Sequence, residues 1–157
     1  MNSNINRPWA LVTGASAGLG AEYSRQLAAK GYRLVLVARR EERLNLLADE
    51  LRKKFNTDSL VITADLSRPN ASELIVKRLE AEGIEVEYLV NNAGYGVPGN
   101  FHVPDWQTHA DFIQVMMTAV CELTWRLLPG MQQRKCGFIV NVASVAGLVE
   151  PTAGHTL

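Results

Sequence analysis

The run TGASAGLG, residues 13–20, sets glycines at 14, 18 and 20 directly behind a short aliphatic stretch and directly ahead of a segment with helical spacing. A glycine at 14 lets the chain turn tightly off a strand. Gly18 and Gly20 leave the backbone open to a pyrophosphate and let the following helix pack closely on a sheet. The helix N-terminus then offers unpaired N–H groups and a positive dipole end to the phosphates. Four more stretches place polar groups at the ends of aliphatic runs: VARR with Arg39 and Arg40, ADLS with Asp65, NNAG over 91–94, and NVAS ending on Ser144. Alone, each has an ordinary explanation. Asp65 would be a helix-approach cap, Ser144 a turn residue, and the arginines solvated charges opening the next helix.

The elements that must hold these groups follow from the hydrophobic pattern. Strands are expected at 10–13, 33–38, 60–64, 86–90 and 138–143. The run 33–38 (RLVLVA) has no polar alternation, so both of its faces should be buried. Helices are expected at 18–30, stopped by Gly31, and at 41–55, where Leu44, Leu47, Leu51 and Phe55 share one stripe. Ser67-Arg-Pro-Asn70 reads as a turn and cap into a helix ending at Gly83, and 91–105 reads as a glycine- and proline-rich loop. A long helix should run over about 106–133. Five strands alternating with four helices predict one doubly wound, Rossmann-type α/β domain over 1–157: a parallel sheet with helices on both faces.

The long helix carries two apolar stripes, Ile113, Met117, Val120, Thr124 and Leu127 on one, and Phe112, Met116, Ala119 and Leu123 on the other. One stripe can cover the sheet. The second calls for another cover, and the expectation is a homo-oligomer, a dimer or tetramer, formed through this helix.

Bulk composition is consistent with a globular domain. Of 157 residues 47% are apolar, and sixteen basic side chains balance sixteen acidic ones, which gives no basis for a nucleic-acid or anionic-membrane partner. The apolar runs are too short to span a bilayer, and MNSNINRP lacks the apolar stretch of a signal peptide. Cys121 and Cys136 have no metal-ligand spacing around them. They read as reduced thiols of a cytoplasmic protein with no metal site.

Taken together, TGxxxGxG after the first strand, Asp65 after the third, NNAG after the fourth and Ser144 closing the fifth resemble the short-chain dehydrogenases/reductases, over 8–157. The resemblance implies roles residue by residue. Gly14, Ser16, Gly18, Leu19 and Gly20 would cradle the phosphates and ribose of a nicotinamide dinucleotide. Asp65 and the Leu66 backbone would sit against the adenine. Asn92, Ala93 and Gly94 would line the ribose side, with Asn91 bracing the neighbouring strand. Ser144 would hold the oxygen of a small carbonyl or alcohol substrate during hydride transfer.

At the end of the second strand a carboxylate would accept the adenosine ribose hydroxyls and repel a 2′-phosphate. Arg39 and Arg40 stand there instead, and guanidinium groups grip phosphate, so NADP(H) is expected over NAD(H). No basic residue stands inside the glycine turn, where Ala17 separates Ser16 from Gly18, so the grip would rest on 39 and 40 alone.

Two departures from the family pattern bear on activity. The family's Tyr-x-x-x-Lys motif follows the serine, yet no tyrosine follows Tyr95 and no lysine follows Lys135. Thr156 and Leu157 stand where the motif would be about to begin, and His155 is no substitute. The 157 residues are therefore expected to be the cofactor-binding part of such an enzyme, lacking its general acid and the strands and helices beyond. Met116 also stands where the family has an asparagine that supports a water chain. Two other readings stay open: a non-enzymatic dinucleotide-binding or regulatory protein, and a fragment that works only beside its complement.

Overall fold

The computed structural model describes residues 7–145, so what was expected of 155–157 lies outside the described residues. Strands β1 (Trp9–Thr13), β2 (Arg33–Ala38), β3 (Ser59–Thr63), β4 (Val86–Asn91) and β5 (Phe138–Asn141) form one sheet in the order β3-β2-β1-β4-β5, every pairing parallel. Helices α1 (Gly18–Ala29), α2 (Glu41–Phe55) and α3 (Ala71–Ala81) lie between them. A longer helical stretch before β5 comprises α4 (Trp106–Ile113), a π-helical turn (Gln114–Thr118) and α5 (Ala119–Arg134).

Alternation along the strands divides the core in two. Ala10 and Val12 of β1 and Leu34 and Leu36 of β2 face α1 and α2, packing with Leu27, Leu44, Leu47 and Leu51. Leu11, Val35, Val37 and Leu89 face the other way, onto Ile75 and Leu79 of α3 and Ala119 and Leu123 of α5. Successive strand side chains point to opposite faces, so a strand covered on both sides must be apolar at every position, as RLVLVA is through its centre.

Several elements differ from the sequence expectation for local reasons. The ladder of β5 ends at Asn141, opposite Asn91, the last residue of β4, so Ser144 lies three residues past the strand instead of closing it. Asn70 precedes α3, but its side chain makes no capping bond. Asp105 does cap α4, accepting from the Thr108 amide at 2.8 Å and its hydroxyl at 2.7 Å. A π turn adds a residue to the helical repeat and shifts the stripe. Val115, Ala119, Leu123 and Met131 consequently face the core, while Met117 is 63% exposed and Ile113 41%.

The core has a direct test. Leu36 is fully buried between the strands and α2. Leu36→Ala should lower the unfolding free energy by about 2–5 kcal/mol in chemical denaturation, through lost burial and the cavity left behind.

Candidate functional site

Strand order alone locates a crevice. The chain passes from β1 outward through β2 to β3, then returns to the other side of β1 to lay down β4. At that switch point the loops after β1 and β4 diverge and leave space beyond the carboxyl ends of the strands. A cavity of about 510 Å3 occupies this place. Its walls are the glycine turn after β1, residues 37–40 at the end of β2, residues 64–68 after β3, residues 92–95 after β4, and Asp111 and Val115 from the helix behind.

The glycines divide their work. Gly14 has φ +67° and Gly18 has φ +54°, conformations in which glycine carries no Cβ penalty. Above Gly18 there is open space, so its bare backbone faces the cavity. Gly20 does not line the cavity. It is buried, and a methyl there would overlap the Gly14 carbonyl oxygen and the Asn92 side chain. Gly20 is thus a packing residue that brings α1 onto the sheet.

Thr13 closes β1 and is 2% exposed, a buried hydroxyl that needs partners. Its Oγ1 donates to the Val90 carbonyl at 3.3 Å and accepts from the backbone N–H groups of Asn92 at 2.9 Å and Ala93 at 3.0 Å. In return the Asn92 side-chain amide donates to the Thr13 carbonyl at 2.9 Å. This knot fixes the loop after β4 against the glycine turn. Asn91 then ties β4 outward, its Nδ2 donating to Asn141 of β5 at 2.9 Å and to the Thr124 hydroxyl of α5 at 3.2 Å.

Charge is distributed along the cavity. Arg40 donates to the Ser16 hydroxyl through Nε at 3.3 Å and Nη2 at 3.0 Å, clipping the end of β2 to the glycine turn. Arg39 makes no hydrogen bond or ion pair among the described residues. Asp65 accepts from the Ser67 amide at 3.1 Å and hydroxyl at 2.9 Å, and its other oxygen stands 3.9 Å from Arg68. Burial opposes ionisation of Asp65, but the two Ser67 bonds and the Arg39 and Arg68 charges outweigh it and hold the carboxyl below its ordinary value.

The cavity therefore gathers Gly14, Ser16, Gly18, Leu19, Arg39, Arg40, Asp65, Leu66, Asn92, Ala93 and Gly94, while Gly20 supports it from behind. Ser144 is exposed and does not line it. Met116 packs its thioether against Gly94, so close that a methyl at 94 would lie 2.9 Å from the sulfur. Sequence reasoning missed Thr13. The available signal was a hydroxyl in a strand buried on both faces, where it must find a partner.

Residues 8–156 match the family model described as short chain dehydrogenase. The chain belongs to the short-chain dehydrogenase family. A very-long-chain 3-oxoacyl-CoA reductase of Anas platyrhynchos is 39% identical over 155 residues, covering 95% of this chain and 48% of the reductase. The chain spans about half the length of the curated relatives it matches. Among solved structures, a short-chain dehydrogenase from Sphingobium yanoikuyae in complex with NADPH is 36% identical with a TM-score of 0.84, over 90% of this chain and 55% of that one. An L-sorbose reductase from Gluconobacter frateurii complexed with NADPH and L-sorbose has a TM-score of 0.87 at 29% identity, covering 99% and 59%. No helix among the described residues of this family member is long and apolar enough to cross a membrane.

The Thr13 knot yields a prediction. Thr13→Val keeps the shape but strips the Asn92 and Ala93 amides of their acceptor, and should cost about 1–3 kcal/mol of stability, whereas Thr13→Ser should recover most of it. Parallel denaturation curves of the two variants check this.

Proposed function

We propose that this chain is the NADP(H)-binding part of an oxidoreductase that moves a hydride between nicotinamide and a carbonyl or alcohol. The observation that carries the reading is the single cavity in which a bare glycine turn, Ser16 and two arginines meet. The glycine turn and the start of α1 suit the pyrophosphate. Arg39, which makes no hydrogen bond or ion pair among the described residues, and Arg40, already held beside Ser16, suit the adenosine 2′-phosphate. NADPH or NADP bound in related structures supports the same choice. Asp65, Leu66 and Val115 would take the adenine, and Asn92 to Gly94 the ribose on the nicotinamide side.

The substrate class drawn from the relatives is a 3-oxoacyl thioester or a comparable ketone, whose carbonyl accepts the hydride. Ser144 would hold that oxygen. No tyrosine follows Tyr95 and no lysine follows Lys135, so the proton donor that the family resemblance implies is not among these 157 residues. We expect binding without turnover. The apolar side chains exposed on the helical stretch, Ile113, Met117 and Trp125, support self-association there.

Fluorescence titration should show NADPH binding at least about tenfold tighter than NADH, the worth of a charge-assisted phosphate contact, and Arg39→Asp should abolish most of that ratio. A ratio unchanged by the substitution contradicts the cofactor assignment. Carbonyl turnover by these 157 residues at the rate of the longer reductases contradicts the binding-only expectation.

A further inference from the structure

The cavity has a wall that the glycine turn and the ends of β2 and β3 do not supply. Tyr95, just past Gly94, and Asp111 and Val115, from the helical stretch, form it. The Tyr95 ring stands edge-on to Phe112 of α4, centroids 5.7 Å apart at 89°, so its plane is set by the helix. Burial raises the Tyr95 pKa. Asp111 and Asp65 add to the rise while Arg39 opposes it, so charges from both sides of the cavity act on one hydroxyl. Val115 is buried and gives this wall an apolar floor.

Asp111 is held in place but not used up. Gln107 Nε2 donates to its Oδ1 at 2.7 Å, and Oδ2 has no protein partner among the described residues. Asp65, across the cavity's other wall, is in a matching state: Oδ1 takes both Ser67 bonds, and Oδ2 has only a loose approach to Arg68. The cavity thus presents two carboxylates from different elements, each with one open acceptor, beside an aromatic ring and apolar side chains. A flat base bearing an exocyclic amino group matches this arrangement, since that group has two N–H donors and the base has two apolar faces.

We propose that Asp111 is a base-reading residue of this cavity, accepting one hydrogen of the adenine amino group while Asp65 accepts the other, with Tyr95 covering the base. The proposal rests on the dinucleotide reading above. It makes the site selective for adenine over hypoxanthine. Hypoxanthine puts a carbonyl oxygen where adenine has the amine, and that oxygen would face two carboxylates.

The test is fluorescence titration of the purified chain with NADPH and with its deaminated analogue, reduced nicotinamide hypoxanthine dinucleotide phosphate. The wild type should prefer NADPH by about tenfold or more, as a site built to pair an N–H group does. Asp111→Asn, whose amide can turn a donor toward the carbonyl, should bring the two affinities within about threefold. Tyr95→Ala should weaken both dinucleotides alike, by about threefold or more, because it removes cover and no readout. Wild-type binding of NADPH with a preference that Asp111→Asn leaves unchanged while Asp65→Asn abolishes it overturns the role of Asp111 and leaves the cofactor reading intact. Failure of the wild type to bind either dinucleotide overturns both.

Discussion

The hydroxyl of Thr13 holds together the two strand ends on which everything else in the site depends. By donating to Val90 and accepting from the amides of Asn92 and Ala93, it makes the turn after β1 and the loop after β4 one rigid piece. These two segments belong to the strands that flank the switch in sheet order, so the same contact defines the mouth of the crevice. Gly20 shows how little room remains behind it. Glycine is required there because the Gly14 carbonyl and the Asn92 amide occupy the place of a side chain.

From that anchor the chemistry spreads outward along the carboxyl edge of the sheet. β2 contributes cations, Arg39 and Arg40, and the segment after β3 contributes the Asp65 carboxylate. The glycine turn contributes backbone N–H groups, and the helix behind adds Asp111 and Val115. In the proposed reading a dinucleotide lies across this edge, with its phosphates by the glycines and arginines and its base by the carboxylates and apolar floor. The Arg40–Ser16 contact joins two of these contributors before any ligand arrives, so less ordering remains to oppose binding.

Much of the fold was legible because burial dictates pattern. β2 and α2 have the bounds that their aliphatic run and leucine stripe suggest, and every cavity segment apart from the helix behind lies at or just past the end of a strand that the sequence marks. What was not legible depended on distant or geometric information. Among the described residues β3 and β5 each pair on one side only, and their bounds moved by one or two residues with the neighbour's ladder, while β1 and β4 each gained one residue. The π turn changes the repeat without any residue that announces it, which placed Val115 where a regular repeat put Met116. The partners of Thr13 lie 77 to 80 positions away, and no local pattern could name them. Asp111 likewise looks like a solvated helix residue until it is seen lining the same cavity as the ends of β2 and β3.

The crevice between β1 and β4 is proposed to take a dinucleotide bearing a 2′-phosphate. A crystal structure of the chain grown with NADPH tests it most directly. The pyrophosphate is expected over the turn at Gly14 to Leu19 and the 2′-phosphate within hydrogen-bonding distance of Arg39 and Ser16. NADPH bound with its 2′-phosphate away from Arg39 and Arg40, or an empty crevice at saturating NADPH, would contradict it.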